Sequence, residues 1–225
     1  MTIHVFGSLN FDLVCQTPRL PVPGETILGT GFTTVPGGKG ANQAVAAARL
    51  GAPVRMVGRV GADSFGQRLL TALTDEGIDA AAVRVEPEVS SGVAAIAVDP
   101  HGQNHIIVVP GANGLVDESD VHRLATELTV GDVLLLQFEV PLPVVMAAAA
   151  AAREKGVTVI VDPAPAHRDL PSDFYAAVDW LTPNQTEAEA LVGFTVKTLA
   201  AAKEAASVLR QQGVANVVIK LGADG

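Results

Sequence analysis

Short apolar runs with little polar alternation recur along this chain at residues 3–6, 54–60, 133–138, 157–161, 180–181 and 217–221, each set off by stretches with helical character. A strand that is apolar on both sides must be covered on both sides, so these runs predict a parallel sheet sandwiched between helices. Helices are expected at about 39–50, 64–76 and 141–155, and again after Asn184 and Thr198. In a sheet of this kind ligands bind beyond the carboxyl ends of the strands.

Two regions break the alternation. Residues 13–35 and 92–109 read as hairpins, the second folded around Asp99-Pro100-His101-Gly102-Gln103-Asn104, a composition that favours turns. Together they would make a small second sheet with an apolar face, placed as a lid over a ligand or against another subunit. His101 and His105 are four apart but sit in that turn, which favours a surface role over metal ligation.

With 225 residues and 48% hydrophobic content, the chain suits one domain with a sizeable core. A formal net charge of -9 with dispersed Lys and Arg argues against a nucleic-acid partner. A single cysteine, Cys15, excludes an internal disulfide and a multi-cysteine zinc site. The first residues read directly as a strand rather than a signal peptide, and the apolar run at 144–152 is too short to cross a bilayer, so a cytoplasmic protein without a membrane partner is expected.

The densest chemistry lies in Pro36-Gly37-Gly38-Lys39-Gly40-Ala41-Asn42-Gln43, where a loop becomes an alanine-rich helix. Adjacent glycines let a ligand approach the main chain, and free amides of a first helical turn would attract hydroxyls or negative charge. A P-loop is excluded, since Thr33 and Gly40 stand where that motif needs Gly and Ser or Thr. No Gly-x-Gly-x-x-Gly follows the first strand, which disfavours a nucleotide-binding oxidoreductase.

Four segments occur in order: Gly7-Ser8-Leu9-Asn10-Phe11-Asp12, Pro23-Gly24-Glu25-Thr26, the glycine-lysine stretch extended to Ala44, and Thr182-Pro183-Asn184-Gln185-Thr186-Glu187-Ala188. Together they resemble the ribokinase-type (PfkB) carbohydrate kinases, over the whole chain. The resemblance implies a Rossmann-like three-layer α/β/α sandwich with a small β-sheet lid. It also implies transfer of the ATP γ-phosphoryl group to a sugar hydroxyl, D-ribose giving D-ribose 5-phosphate being favoured. Another sugar or nucleoside acceptor, or a noncatalytic sugar-binding remnant, is the alternative.

By the same resemblance Asn10 and Asp12, at the end of the first strand, would hold sugar hydroxyls, with Gly37, Gly38, Lys39 and Asn42 as the cradle and Glu139 as a further acceptor. Asn184, Gly222 and Gly225 would face the nucleotide, and Glu187 a magnesium ion through water. As Asn-x-x-Glu before a helix, Asn184 and Glu187 equally read as a capping box. ATP and Mg²⁺ are the implied cofactors, with K⁺ bound by residues not in this sequence, and a homodimer through the lid is implied as the assembly. Lys220 and Asp162 depart from the family, which often has threonine and asparagine there; Asp162 reads as a loop-shaping residue.

The family's Asp-Thr-x-Gly-Ala-Gly-Asp segment, which supplies the catalytic base and anion hole, follows the Leu-Gly-x-x-Gly turn and would lie beyond Gly225. The expectation is therefore a single, C-terminally incomplete domain over 1–225 without substantial kinase activity of its own.

Overall fold

The computed structural model describes residues 1–224. Its larger sheet has seven parallel strands: β1 (Ile3–Phe6), β4 (Val54–Gly61), β5 (Asp79–Glu86), β8 (Val133–Leu136), β9 (Thr158–Val161), β10 (Trp180–Leu181) and β11 (Asn216–Val217). They lie in the order β11-β10-β9-β8-β1-β4-β5, with β1 paired to both β4 and β8. The crossovers carry α1 (Lys39–Arg49), α2 (Ser64–Asp75), α3 (Glu118–Glu127), α4 (Leu142–Glu154), α5 (Ser172–Ala176), α6 (Gln185–Val192) and α7 (Leu199–Gln211).

Alternation along each strand builds the layers. Val5 and Met56 face one side, where they pack with Ala41, Ala44 and Ala47 of α1 and Leu69 and Leu73 of α2. Phe6, Val57, Leu134 and Leu136 face the other, against Leu124 of α3 and Val145, Ala148, Ala149 and Ala152 of α4. Alanines on α1 and α4 let helix and sheet backbones approach closely. Each large apolar side chain fully buried in these layers contributes about 1.5–3 kcal/mol. Truncating Leu134, which is fully buried, to Ala would cost about 2–5 kcal/mol.

The smaller sheet contains β2 (Asn10–Gln16), β3 (Gly31–Gly37), β6 (Gly92–Val98) and β7 (Asn104–Val109), in the order β3-β2-β6-β7. Both expected hairpins form as antiparallel pairs, and β2 and β6 join them in parallel. Asp99 Oδ1 accepts the N–H groups of His101 and Gln103 within the second turn. His101 and His105 are exposed, His105 lying on β7 opposite Ala97.

Three expectations change. Asn10 and Asp12 do not end the first strand; the chain breaks at residues 7–9 and these two open β2 in the second sheet. β5 and α3 are additional elements, α3 being closed by a capping box between Asp117 and Asp120. The run at 217–221 gives only a two-residue strand, after which Lys220 makes an isolated bridge to Asn184.

Candidate functional site

A cleft of about 200 Å³ lies between the smaller sheet and the start of α1. Asn10, Asp12, Gly38, Lys39, Asn42 and Glu139 line it, with Ala94 and Ile96 of β6 and Ile106 and Val108 of β7 forming an apolar wall. Gly37 pairs with Asn10 in the β2–β3 register and so borders the same place. The seven residues expected at a sugar thus converge from three separate stretches of sequence.

The main chain at the start of α1 requires its glycines. Gly38 has φ 92°, a left-handed value costly for any other residue, and a Cβ there would stand 2.6 Å from the Asn10 amide nitrogen. A Cβ on Gly37 would stand 2.5 Å from Asp12 Oδ2. The loop is bare so that Asp12 and β2 can lie against it.

The first turn of α1 is not free to bind a ligand, contrary to the expectation from sequence. Lys39 N–H donates to Glu139 Oε2 at 3.1 Å, Gly40 N–H to Ser8 Oγ at 3.3 Å, and Ala41 N–H to the Ser8 carbonyl at 2.9 Å. Main-chain donors left over at a helix start need partners, and here buried Ser8 and half-buried Glu139 provide them. Ser8 Oγ in turn donates to Glu139 Oε2 at 2.6 Å, and Asn10 Nδ2 approaches the same oxygen at 3.3 Å. Buried Asn113 completes the network: its Oδ1 accepts from Leu9 N–H at 2.9 Å and its Nδ2 donates to Asn10 Oδ1 at 2.8 Å.

Charge in the cleft is dominated by two carboxylates. Burial, and then the neighbouring charge of Glu139, push the Asp12 pKa above the ordinary aspartate value. Two acceptor groups, a lysine and two amides around a small space match the alternating donors and acceptors of a polyol.

Of the residues expected at the nucleotide and its metal, Asn184 and Glu187 pair with each other. Asn184 and Glu187 make the full capping box of α6: Asn184 Oδ1 accepts from Glu187 N–H at 2.8 Å, and Glu187 Oε2 accepts from Asn184 N–H at 2.8 Å. Glu187 Oε1 also accepts from Asn184 Nδ2 at 2.9 Å. Both Glu187 oxygens are already hydrogen-bonded within the capping box, and the described residues contain no cluster of three or more His, Cys, Asp or Glu that could hold a metal. Gly222 opens a 3₁₀ turn with φ 64°, whereas Gly225 lies outside the described residues. None of Asn184, Glu187 or Gly222 lines the cleft.

Asp162 and Lys220, both departures from the family pattern, form an ion pair with Lys220 Nζ 2.7 Å from Asp162 Oδ1. Asp162 follows β9 and Lys220 bridges to Asn184, so one pair ties two strand ends together. A larger cleft of about 570 Å³ between Arg168, Asp169 and the end of α6 contains none of the expected sugar residues.

Sequence reading missed Ser8 and Asn113. Each acts through partners in distant elements, Asn113 on Asn10 across 103 residues, and a single sequence carries no sign of such a pairing.

The family model described as pfkB family carbohydrate kinase matches residues 2–225. The chain is similar to a ribokinase of Haemophilus influenzae, at 41% identity over 224 residues, covering 100% of this chain and 73% of that protein. It is 38% identical over 225 residues to a deoxyribokinase of Salmonella typhimurium, covering 100% of this chain and 74% of that one. The structure of Arabidopsis thaliana ribokinase complexed with ribose and ATP superimposes with a TM-score of 0.88 at 34% identity, covering 100% of this chain and 73% of that chain.

Proposed function

Since the chain belongs to the pfkB family of carbohydrate kinases, we propose that its cleft holds D-ribose as the acceptor for ATP-dependent phosphorylation to D-ribose 5-phosphate. The observation that carries this reading is the convergence of Asn10, Asp12, Gly38, Lys39, Asn42 and Glu139 on one space of about 200 Å³. That volume lies below the range for drug-sized ligands and suits a small polyol. Similarity to a ribokinase solved with ribose and ATP supports the choice of both substrates.

In this reading Asp12 and Glu139 accept hydroxyl hydrogen bonds, Asn10 and Asn42 contribute amides, and the apolar wall of Ala94, Ile96, Ile106 and Val108 shields the sugar from water. ATP is held by Asn184 and Gly222; Gly225, the third residue expected to face it, lies outside the described residues. Magnesium bound with ATP would neutralise charge on the phosphates, and Glu187 would hold it through its water shell. Neither Asp12 nor Glu139 is free to act as the base once it holds the sugar. With both given to the sugar, this reading has the 225 residues bind ribose without substantial turnover. Cytoplasm is the matching location, and among the described residues no helix is long and apolar enough to cross a membrane.

The 38% identity to a deoxyribokinase favours 2-deoxyribose as the second reading. Calorimetric titration with ribose, 2-deoxyribose and fructose separates them: tighter binding of ribose supports the first reading, and preference for 2-deoxyribose replaces it. The smaller sheet exposes Phe32, Val35, Ile106, Ile107, Val108 and Val109, which supports a homodimer through the lid. Sedimentation as a monomer at micromolar concentration would rule that dimer out.

A further inference from the structure

The two ends of an amide side chain are told apart by what they meet, and here the main chain decides. Leu9 N–H can only donate and Leu9 C=O can only accept. Asn113 meets both, with Oδ1 accepting from the first at 2.9 Å and Nδ2 donating to the second at 3.0 Å. The atom of Asn113 that reaches Asn10 is therefore a donor, and its partner on Asn10 must be the oxygen, at 2.8 Å. Asn10 Nδ2 is then left on the Glu139 side, 3.3 Å from Oε2, an acceptor when ionised. One of its two hydrogens serves Glu139; the other meets no acceptor among the described residues, and Asn10 lines the cleft.

Space around the pair is reserved for it. Asn10 and Asn113 are 3% and 1% exposed, so an unpaired amide end would be costly at either. Gly92, opposite Asn10 in the β2–β6 register, stands where a Cβ would collide with both Asn10 Oδ1 and Asn113 Nδ2.

We propose that Asn113 is a positioning residue that locks the Asn10 amide with its nitrogen toward the cleft. The cleft then offers an N–H donor beside the carboxylates of Asp12 and Glu139. It selects a polyol that presents one acceptor oxygen to Asn10 along with hydroxyl donors to the two acids. The inference rests on the sugar reading of the cleft.

Ribose titration calorimetry on the 225-residue chain and four variants tests it, with thermal melting as the folding control. In Asn113→Asp the donor that holds Asn10 Oδ1 is replaced by a carboxylate oxygen and the amide loses its lock, so ribose should bind at least tenfold more weakly. Asn10→Asp keeps the acceptor Asn113 needs but removes the donor, and should lose at least tenfold as well. In an Asn10→Ala background, Asn113→Asp should add less than twofold, because its effect passes through Asn10; a purely structural role through Leu9 would keep its full effect there. Ribose affinity of Asn10→Asp within twofold of the parent overturns the proposal, as does an undiminished Asn113→Asp effect in the Asn10→Ala background. If Asn113→Asp does not fold, Asn10→Asp decides alone. A parent chain that binds no ribose, whatever the variants do, overturns the sugar reading itself and the proposal with it.

Discussion

Glu139 Oε2 accepts the main-chain N–H of Lys39 at 3.1 Å across 100 residues of sequence. One carboxylate thus caps α1, receives the Ser8 hydroxyl and borders the cleft, coupling the position of the helix to the charge of the site. Glu139→Gln should weaken ribose binding about 10- to 100-fold, the scale of one charged hydrogen bond. It should also lower the Asp12 pKa, since the Glu139 charge is one cause of its elevation. Calorimetry and a carboxylate NMR titration check the two effects; an unchanged Asp12 pKa would contradict the coupling.

Asp12 illustrates a site held at a cost to stability. Its folded pKa is raised, so its contribution to stability is fully present below the unfolded value and lost as pH rises through the folded one. Above the folded pKa the ionised group therefore weakens the fold, and Asp12→Asn should raise the melting temperature there. The same change should reduce ribose affinity at least tenfold. A variant that melts lower while binding normally would reverse both assignments.

Gly38→Ala tests the left-handed turn at φ 92°. Strain plus the close approach to the Asn10 amide should cost about 2–4 kcal/mol in urea unfolding and abolish ribose binding. A loss below 0.5 kcal/mol, on the order of a neutral surface change, would show that the loop can relax.

At the opposite end of the strands, burial pushes the His4 imidazole below its ordinary value of 6.5, outweighing the attraction of Asp132 Oδ2 at 3.4 Å. Unfolded His4 takes a proton that the folded protein refuses, so stability is present above pH 6.5 and falls below it. Burial alone would raise Asp132, but hydrogen bonds from Thr2 N–H and from Thr129 N–H and Oγ hold it at about 2, so its contribution is lost only as pH falls toward that value. His4→Gln should flatten the stability profile between pH 7 and 5, read from urea midpoints; an unchanged slope would exclude His4 as its source.

Lys220→Thr removes the cation paired with Asp162, a partly exposed contact worth at most about 1 kcal/mol. The single change should cost no more than that, and Asp162→Asn with Lys220→Thr should recover it in chemical denaturation. A loss above 3 kcal/mol, roughly that for a buried pair, would mean that the contact locks the strand ends together.

The parallel sheet was legible because burial on both faces writes uniformly apolar runs, as in residues 133–136 and 159–161. β5 was less legible: Arg84 and Glu86 interrupt Asp79–Glu86, which lies at the sheet edge. Asn10, Asp12 and the glycines stood out through the resemblance of their segments to a family. The occupants of the α1 amides did not, because Ser8 and Glu139 meet there only through tertiary packing. Asp162 and Lys220 each looked like an isolated departure until the fold set them 2.7 Å apart.

Whether this cleft holds ribose is decided by titration calorimetry of the 225-residue chain and its Asp12→Ala variant with D-ribose. The parent should bind saturably and one to one, and the variant should lose binding while melting as a folded protein. No ribose binding by the parent, or equal binding by the two, would contradict ribose occupancy of the cleft.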